Sequence, residues 1–390
     1  MNPKTLIELY AERPLENVLA VEVFRPKRVV YISPNDFPDD AQATLNEYFA
    51  HRGIKVRTQC RRTDVYDSVK TLAELRKLLQ KNPDAMIDIT GGTDVLLFAT
   101  GEACVGTETP VITYSRRKNR FYSIQHADFA DGVAGDVHFT VEDIFKMAGG
   151  SMRRGRVDNA VLGSYMDLYD PFFDLYLQHR TRWDRIATYI QRVSAADEEG
   201  FYSLEAEGEY EVKGSNGHRL SAPEEALSGM EKIGMIRNLK IVPNESVRFT
   251  FRDDQCRTWL RDVGSVLELY VYKACLDTKI FDDVRSSAVV DWNGTYKDNA
   301  VSNELDVMCT RGIHSFFISC KTCMVRTEAL NELAILRDRF GGQVARAALV
   351  TAEPANATAR NRAAELDIRI IDLADLKSGR IKECIQALAN

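Results

Sequence analysis

The residues with the clearest chemical potential lie in the stretch Asn303–Thr322, which reads NELDVMCTRGIHSFFISCKT. Its two apolar segments carry two acids, Glu304 and Asp306, and one base, Lys321. Side chains two apart on a strand share a face, so we expect Glu304 to point with Asp306, and Ser319 to point with Lys321 on the neighbouring strand. Charged groups at the edge of an apolar sheet are costly when dry and unpaired, so these groups need a compensating partner.

Two kinds of compensation fit this spacing. The simpler one is an ion pair between the acids and Lys321. The other is a divalent cation, because carboxylate oxygens hold Mg²⁺ or Mn²⁺, and one or two carboxylates suffice when a substrate phosphate and waters fill the other positions. A lysine beside such a cation could orient an attacking water and stabilise the charge that develops at phosphorus.

The elements that must position these residues belong to the last of three predicted regions, about residues 251–390. The helix that opens it carries Glu268. The predicted order of elements is the helix DVGSVLELYVYKACL, the strands SSAVVDW, ELDVMC and SFFISCK, the helix RTEALNELAILRDRF, the strand ARAALVT, the helix NATARNRAAEL and the strand DIRIIDL. This order favours an α/β domain with a mixed sheet.

The first region, about residues 1–148, alternates strands and helices and predicts a parallel, doubly wound sheet. The predicted elements include the strands RVVYISP, IKVRTQC, AMIDIT and PVITYS and the helices DAQATLNEYFAHRG, TLAELRKLLQKNPD and DVLLFATGEACV. In such sheets ligands bind beyond the carboxyl ends of the strands. The candidate ligand-binding residues are therefore Ser33, Asn35, Asp36, Thr90, Gly91, Gly92 and Thr93.

Glycines at this position have a physical use, because they let the backbone approach a phosphate while the following helix N-terminus offers free N–H groups. An ordinary turn between a strand and a helix is the simpler explanation of a lone Gly-Gly-Thr. The segment is neither a P-loop nor a GxGxxG motif.

The middle region, about residues 149–250, predicts a helical connector followed by a small β-wing, with a possible winged-helix element. Aromatic residues at helical spacing are expected in its core: Phe172, Phe173, Tyr176 and Trp183. The basic cluster SMRRGR near its start suits either a nucleic-acid cleft or a solvated linker.

Composition limits the possibilities further. With 390 residues, of which 45% are hydrophobic, the chain can form more than one domain. The formal charge of −6 argues against a protein coated in nucleic acid. No apolar run reaches the roughly 18 residues of a membrane span, and the N-terminus lacks a signal-peptide layout, so we expect no membrane association and a cytoplasmic location.

The helix with Glu268, the strand NELDV, the hairpin and the strand ending in SCKT together resemble the PD-(D/E)XK nuclease family. The resemblance implies that Asp306 is the metal-binding acid, Lys321 the catalytic lysine and Glu268 the helix acid, with Mg²⁺ or Mn²⁺ bound. Ser319 stands where most members carry Glu or Asp. Either Glu304 or Glu268 then supplies the missing carboxylate, or the site is degraded.

The strand AMIDIT with its Gly-Gly-Thr turn, and the early strand ending in SPND, resemble a CARF domain, the CRISPR-associated Rossmann-like sensor of cyclic oligoadenylates. The whole chain resembles the CARF nucleases of CRISPR defence. This implies a homodimer that is allosterically activated by cyclic tetra-adenylate bound across two sensor domains, and that cleaves DNA and/or RNA in type III CRISPR antiviral defence.

Two other functions remain open from the sequence. The chain could be a ligand-responsive regulator that binds nucleic acid through its winged-helix region and carries an inactive nuclease-like domain. It could also be a stand-alone restriction or repair nuclease with an unrelated nucleotide sensor. No motif that reads bases or 2′-hydroxyls is evident, so the sequence does not predict the kind of nucleic acid.

Overall fold

The computed structural model describes residues 3–11, 15–35, 39–153, 159–197, 199–214, 217–292 and 302–390. Within these ranges the chain forms two six-stranded sheets and two smaller antiparallel sheets. The predicted α/β class, with a parallel-dominated first sheet and a mixed second sheet, is confirmed. No helix in the described ranges is long and apolar enough to cross a bilayer.

The amino-terminal sheet has the strand order β3-β2-β1-β4-β5-β6, with the first five strands parallel and β6 antiparallel. Helices α1 and α2 cover one face, and α3 and α4 cover the other. The elements are β1 (Thr5–Leu9), α1 (Leu15–Phe24), β2 (Arg28–Pro34), α2 (Asp39–His51), β3 (Arg57–Thr63), α3 (Ser68–Lys81), β4 (Ala85–Asp88), α4 (Asp94–Cys104), β5 (Val111–Ser115) and β6 (Arg120–Gln125).

The sequence did not predict β1 and α1, although β1 lies between β2 and β4 in the sheet. The strand has only five residues, and the buried Glu8 interrupts its apolar run. The two predicted ligand-binding segments are consequently not on adjacent strands. The end of β1 separates Ser33, at the end of β2, and Asn35, which follows β2, from the turn Thr90–Thr93, which follows β4.

The middle of the chain contains the predicted helices and β-wing. Its elements are α5 (Val141–Met147), β7 (Ser151–Arg153), α6 (Asn159–Gly163), α7 (Met166–His179), α8 (Trp183–Val193), β8 (Glu205–Glu209), β9 (Glu211–Lys213), β10 (Arg219–Ser221), α9 (Glu224–Lys232), β11 (Ile236–Val242) and β12 (Ser246–Phe251). Helix α9 leads into the β11–β12 hairpin, and the sheet order β11-β12-β8 is compatible with a winged-helix element. The aromatic residues of α7 and α8 are buried, as expected.

The carboxyl-terminal sheet has the order β17-β16-β15-β14-β13-β7 and is mixed, because β15, β16 and β17 are parallel while the other pairs are antiparallel. Helices α11 and α15 pack on one face, and α5, α12 and α13 pack on the other. The elements are α10 (Asp254–Arg261), α11 (Ser265–Thr278), β13 (Asp283–Asp291), β14 (Ser302–Arg311), β15 (His314–Lys321), α12 (Thr327–Leu336), a π-helical turn (Arg337–Gly341), β16 (Arg346–Thr351), α13 (Ala357–Glu365), β17 (Ile368–Ile371), α14 (Leu373–Lys377) and α15 (Ile381–Ala389).

The segment before the middle region packs on the carboxyl-terminal sheet. Strand β7 pairs with β13, and the amide of Val141 donates to Asp283 Oδ2 at 3.0 Å. The hydroxyl of Thr310 donates to the carbonyl of Phe139 at 2.5 Å. Residues 139–153, which surround the predicted boundary at 148, therefore join the two halves of the molecule. The three-domain division stays a prediction.

Candidate active site and sensor edge

Asp306 lies at the centre of the candidate active site, on β14 between β13 and β15. Its side chain is 14% exposed. Its Oδ2 atom accepts hydrogen bonds from the backbone amide of Cys320 at 2.6 Å and from Ser319 Oγ at 3.0 Å, and Lys321 Nζ lies 3.8 Å away. The structure thus brings together three of the residues predicted from the sequence, and β15 fixes the orientation of the Asp306 carboxylate.

The regular alternation of side chains breaks at Asp306. Leu305 packs in the hydrophobic cluster on the α12 side of the sheet, whereas Val307 packs on the α11 side, although residues two apart on a regular strand share a face. The residue opposite Asp306 in the register of β13 is Ser287, whose φ is +52°. The expectation that Glu304 and Asp306 share a face rested on regular alternation and stays a prediction here, and both charges raise the pKa of Glu268. Glu304 is exposed.

A serine with positive φ inside a strand is a strained conformation for an L-residue. Ser287 also donates from Oγ to Glu268 Oε2 at 3.4 Å, and the neighbouring Ser286 Oγ donates to the carbonyl of Asp306 at 3.3 Å. The strained stretch of β13 therefore contacts both acids. Sequence reasoning missed Ser287, because only the register of β13 against β14 reveals it.

Glu268 lies in the first turn of α11, the helix that packs across β13, β14 and β15. Burial, and then the negative charges of Asp306, Asp262 and Glu304, raise the pKa of Glu268 to about 8 against the opposing effect of Lys321. Burial also raises the pKa of Asp306, although Lys321 and the two hydrogen bonds from β15 favour its ionised form. The helix N-terminus does not compensate for the burial of Glu268.

Two further acids surround the site. Asp262 Oδ2 accepts from the amides of Gly264 and Ser265 at 3.1 and 2.7 Å, which fixes the start of α11. Glu332 on α12 accepts from Asn303 Nδ2 at 2.7 Å, and its charge contributes to the raised pKa of Asp306. An acid shortly before a helix is a capping signal in the sequence, so Asp262 could have been found there.

The donor set fits a divalent cation with few protein ligands. Within the described ranges, no cluster of three or more His, Cys, Asp or Glu side chains has the arrangement of a metal site. Mg²⁺ nevertheless needs only one or two carboxylates. Asp306 and Glu268 are partly buried acids, and the charge of Asp306 disfavours the ionised form of Glu268, so a bound cation would relieve that repulsion.

The predicted sensor residues lie at the carboxyl edge of the amino-terminal sheet, and several already have internal partners. Thr90 Oγ1 donates to Asp88 Oδ1 at 2.5 Å and accepts from the Tyr114 amide at 2.9 Å. Thr93 caps α4 and donates to the carbonyl of Val65 at 3.1 Å. The exposed Asn35 and the buried Ser33 also lie at this edge, and Ser33 Oγ has no hydrogen-bond partner within the described residues. Asp36 lies outside the described residues.

The packing and the backbone conformation of the chain require glycine at both positions of the sensor edge, Gly91 and Gly92. A Cβ atom on Gly91 would lie 2.4 Å from the carbonyl oxygen of Leu9, and Gly92 has a φ of +91°. Close packing against the end of β1 thus explains these glycines without a bound phosphate. The sequence did not indicate this contact, because β1 itself was not predicted.

Comparison with known proteins places this geometry in context. Residues 254–389 match the family model of the Card1-like endonuclease domain. That region contains Glu268, Asp306, Ser319 and Lys321. No curated protein matches the chain.

Two solved structures share the fold over nearly their whole length. Protein VC1899 from Vibrio cholerae is 16% identical, with a TM-score of 0.75, and the alignment covers 99% of this chain and 98% of VC1899. Can2 from Sulfobacillus thermosulfidooxidans, solved in complex with cyclic tetra-adenylate, is 18% identical, with a TM-score of 0.68, and the alignment covers 98% of this chain and 97% of Can2. With the endonuclease-domain match, these likenesses confirm the resemblance to a CARF-domain nuclease predicted from the sequence.

Proposed function

We propose that this protein is an endonuclease of type III CRISPR antiviral defence, activated by cyclic tetra-adenylate and dependent on Mg²⁺ or Mn²⁺. One observation carries the proposal: Asp306, Ser319 and Lys321 meet inside the region that matches the Card1-like endonuclease domain. The shared fold with Can2, which was solved with cyclic tetra-adenylate, supports the choice of activator. Within this proposal the protein acts in the cytoplasm on DNA and/or RNA.

Asp306 and Glu268 would hold the cation, and Glu304 is the alternative second carboxylate. The bound cation supplies charge stabilisation at the phosphate and lowers the pKa of a bound water. Glu268 would bind in its ionised form, which its raised pKa disfavours without a cation. A cation entering the site would favour the ionised form of Glu268, whose pKa the surrounding protein raises.

Lys321 is the residue that can contact the substrate directly. Its side chain is 39% exposed, and its ammonium lies 3.8 Å from Asp306 Oδ2. From this position it can donate to a phosphate oxygen or to the attacking water while it stays close to the carboxylate. In the proposed mechanism Lys321 orients the nucleophile and stabilises the negative charge that develops during in-line attack.

Ser319 acts in this proposal as a positioning residue. Its hydroxyl donates to the same Asp306 oxygen that accepts from the Cys320 amide. The departure from the usual Glu or Asp at this position removes one possible metal ligand but adds a donor that orients Asp306. This supports an active site over a degraded one.

The sensor half would bind its activator as a homodimer, with the ligand lying across two copies of the edge that contains Ser33, Asn35 and Thr90–Thr93. Apolar side chains are exposed on and beside α3 and α4: Tyr66, Val69, Phe98 and Val105. Phe98 is 68% exposed. Monomeric proteins rarely leave such groups in water, and a second copy of the same surface would cover them about a two-fold axis. The activator would then favour the dimer arrangement that it contacts best.

The charge of the helix in the winged-helix-like element, though not that of its wing, which exposes Arg237, Lys240 and Arg248, disfavours the regulator as the main function. Its helix α9, which would occupy the DNA groove, exposes Glu224, Glu225 and Glu231 against a single basic residue, Lys232. Acidic groups repel the phosphate backbone, which dominates the affinity of nucleic-acid binding. A stand-alone nuclease would differ from our proposal only in its activator.

A cleavage assay with three substrates tests the proposal. Labelled single-stranded RNA, single-stranded DNA and supercoiled plasmid are incubated with purified protein, with Mg²⁺, Mn²⁺ or EDTA, and with or without cyclic tetra-adenylate or other nucleotides. Cleavage should need both the ligand and the metal. It should be lost in Lys321→Ala and Asp306→Ala, and should persist in Lys377→Ala, which removes an exposed lysine of α14.

The variants separate the two main alternatives. If Lys321→Ala and Asp306→Ala both retain full ligand-stimulated cleavage, the proposed site is wrong. If the wild type binds the ligand but cleaves nothing under any condition, and retains one DNA fragment specifically, the regulator is the better description.

A further inference from the structure

A cavity of about 570 Å³ lies between the amino-terminal sheet and the carboxyl-terminal half of the molecule. Its walls come from the end of the amino-terminal sheet, from α1, α2 and α5, and from the π-helical turn with its neighbours. None of the described residues of the proposed sensor edge lines it, and neither do Asp306, Glu268 or Lys321. Its volume falls within the roughly 300–1,000 Å³ of small-molecule sites. It is therefore a candidate binding site that adjoins the sensor edge, since the amide of the lining residue Tyr114 donates to Thr90 Oγ1, but that shares none of the described sensor residues.

Most of the wall is apolar, with aromatic rings contributed by both halves of the molecule. Tyr10 and Tyr114 come from the sheet end, and Phe340 comes from the π-helical turn. The aliphatic part of the wall comprises Leu15, Leu19, Leu45, Ile144, Met147, Ile313 and Val344. Such a wall accommodates a planar aromatic body.

The charged groups of the lining favour an anion. Glu16 is already paired with Arg116, and Asp338 accepts from Arg337 at 2.8 Å. Arg339 has no carboxylate partner within the described residues. Its guanidinium donates to the carbonyl of Ala148 at 2.8 Å and lies 5.3 Å from the centre of the Phe340 ring. Arg339 thus presents an unneutralised positive charge beside an aromatic wall.

The backbone on this side of the cavity is irregular. Arg337–Gly341 forms a π-helical turn, and Gly342 after it has φ +71° and ψ −159°, a conformation that is almost restricted to glycine. Single π-helical turns are rare and occur frequently at functional sites. The π-helical turn is an observation independent of the charge of Arg339, and it also favours a binding site here.

We propose that this cavity binds a small amphipathic anion: a planar aromatic body between the aromatic and aliphatic walls, with a single phosphate or carboxylate at Arg339. A nucleoside monophosphate has this chemistry. Because the walls belong to both halves of the molecule, the ligand would bridge the sensor half and the nuclease half.

Binding is measured by calorimetry on the full-length protein with AMP, GMP, CMP and UMP in one arm and indole-3-carboxylate in the other. Saturating cyclic tetra-adenylate is present throughout to occupy the sensor edge. Ala41→Trp fills the cavity from α2, and Ala43→Trp is its matched control, because Ala43 is exposed on the same helix and does not line the cavity. Arg339→Gln removes the charge.

We expect one saturable site per chain for at least one nucleotide. Affinity should fall about 10-fold or more in Arg339→Gln, since a charge-assisted hydrogen bond is lost. Binding should disappear in Ala41→Trp and remain in Ala43→Trp. Binding of the indole carboxylate alone would support the anion site but replace the nucleotide by an aromatic acid. No saturable binding of any probe, or equal binding in Ala41→Trp, would overturn the proposal. None of these readouts depends on nuclease activity.

Discussion

Replacing Asp88 by asparagine should stabilise the fold, and by an amount that grows with pH. Asp88 ends β4 and lies opposite Glu8 of β1, and both side chains are buried. Burial raises the pKa of Asp88 to about 7 from an ordinary value of 3.8, although Thr90 donates two hydrogen bonds that favour the ionised form. Burial, and then the charge of Asp88, also raise the pKa of Glu8 well above its usual range. The sheet therefore prefers both acids to be protonated.

The size and sign of the effect follow from the difference in pKa between the folded and unfolded chains. A carboxyl with a higher pKa in the folded state binds its proton more tightly there, so its stabilising contribution is complete below about pH 4 and is lost as the pH rises through about 7. A difference of about three units corresponds to about 4 kcal/mol at pH 8. The asparagine Oδ1 still accepts from Thr90 and carries no charge, so Asp88→Asn should gain up to about this amount.

Urea unfolding between pH 5 and pH 8 measures the difference directly. The gain in the free energy of unfolding of Asp88→Asn over the wild type should rise from about 1.6 kcal/mol at pH 5 to about 4 kcal/mol at pH 8. The control is Asp84→Asn, which changes a half-exposed acid four residues earlier and should show little pH dependence. A gain that does not change with pH, or a loss of stability at pH 8, would refute the reasoning.

Three further predictions concern the candidate active site and the proposed homodimer. Ser319→Ala should lower ligand-stimulated cleavage about 10- to 100-fold without changing activator affinity, because Asp306 loses a charge-assisted hydrogen bond of about 1.5–3 kcal/mol; unchanged cleavage would contradict the positioning role. Ser287→Ala and Ser287→Gly should impair cleavage equally, because both lose the hydroxyl. The free energy of unfolding of the glycine variant should exceed that of the alanine variant by about 1 kcal/mol, because glycine tolerates positive φ. A glycine variant no more stable than the alanine variant would show that the backbone is unstrained. Phe98→Asp should give a monomer by light scattering, whereas Ile335→Asp, at another exposed apolar residue, should leave the dimer intact; two dimers would exclude α4 from the interface.

The sequence predicted the elements that carry strong local signals. The strands β14 and β15 were predicted because their apolar runs are long and are separated by a short turn, and α4 and α11 because each is a long apolar run of helical length. The element it missed, β1, is short and contains the buried acid Glu8. A charged residue is a reliable sign of exposure only when the fold keeps it ionised, and here burial favours its protonated form.

The residues of the candidate active site could also be predicted, but their geometry could not. Residue types and order suggested that Asp306, Ser319 and Lys321 would meet, and the structure places them within hydrogen-bond or ion-pair distance. The break in alternation at Asp306 and the strain at Ser287 arise from the pairing of β13 with β14. Local sequence does not specify such register, because it depends on residues far apart along the chain.

Two pairs of neighbouring acids among the described residues, Glu8 with Asp88 and Glu268 with Asp306, show by their contrast what distinguishes a candidate active site from a structural pair. Glu8 and Asp88 are almost completely buried, and the largest influences on Asp88 besides burial are Thr90 and the negative charge of Glu16, so protonation is the simplest way to satisfy the pair. Asp306 is held by donors on β15, has a lysine beside it and keeps part of its surface in contact with solvent. A cation can enter there and replace the proton. The raised pKa is common to both pairs, and the difference lies in access and in oriented donors, which is why the catalytic proposal rests on Asp306 and Lys321.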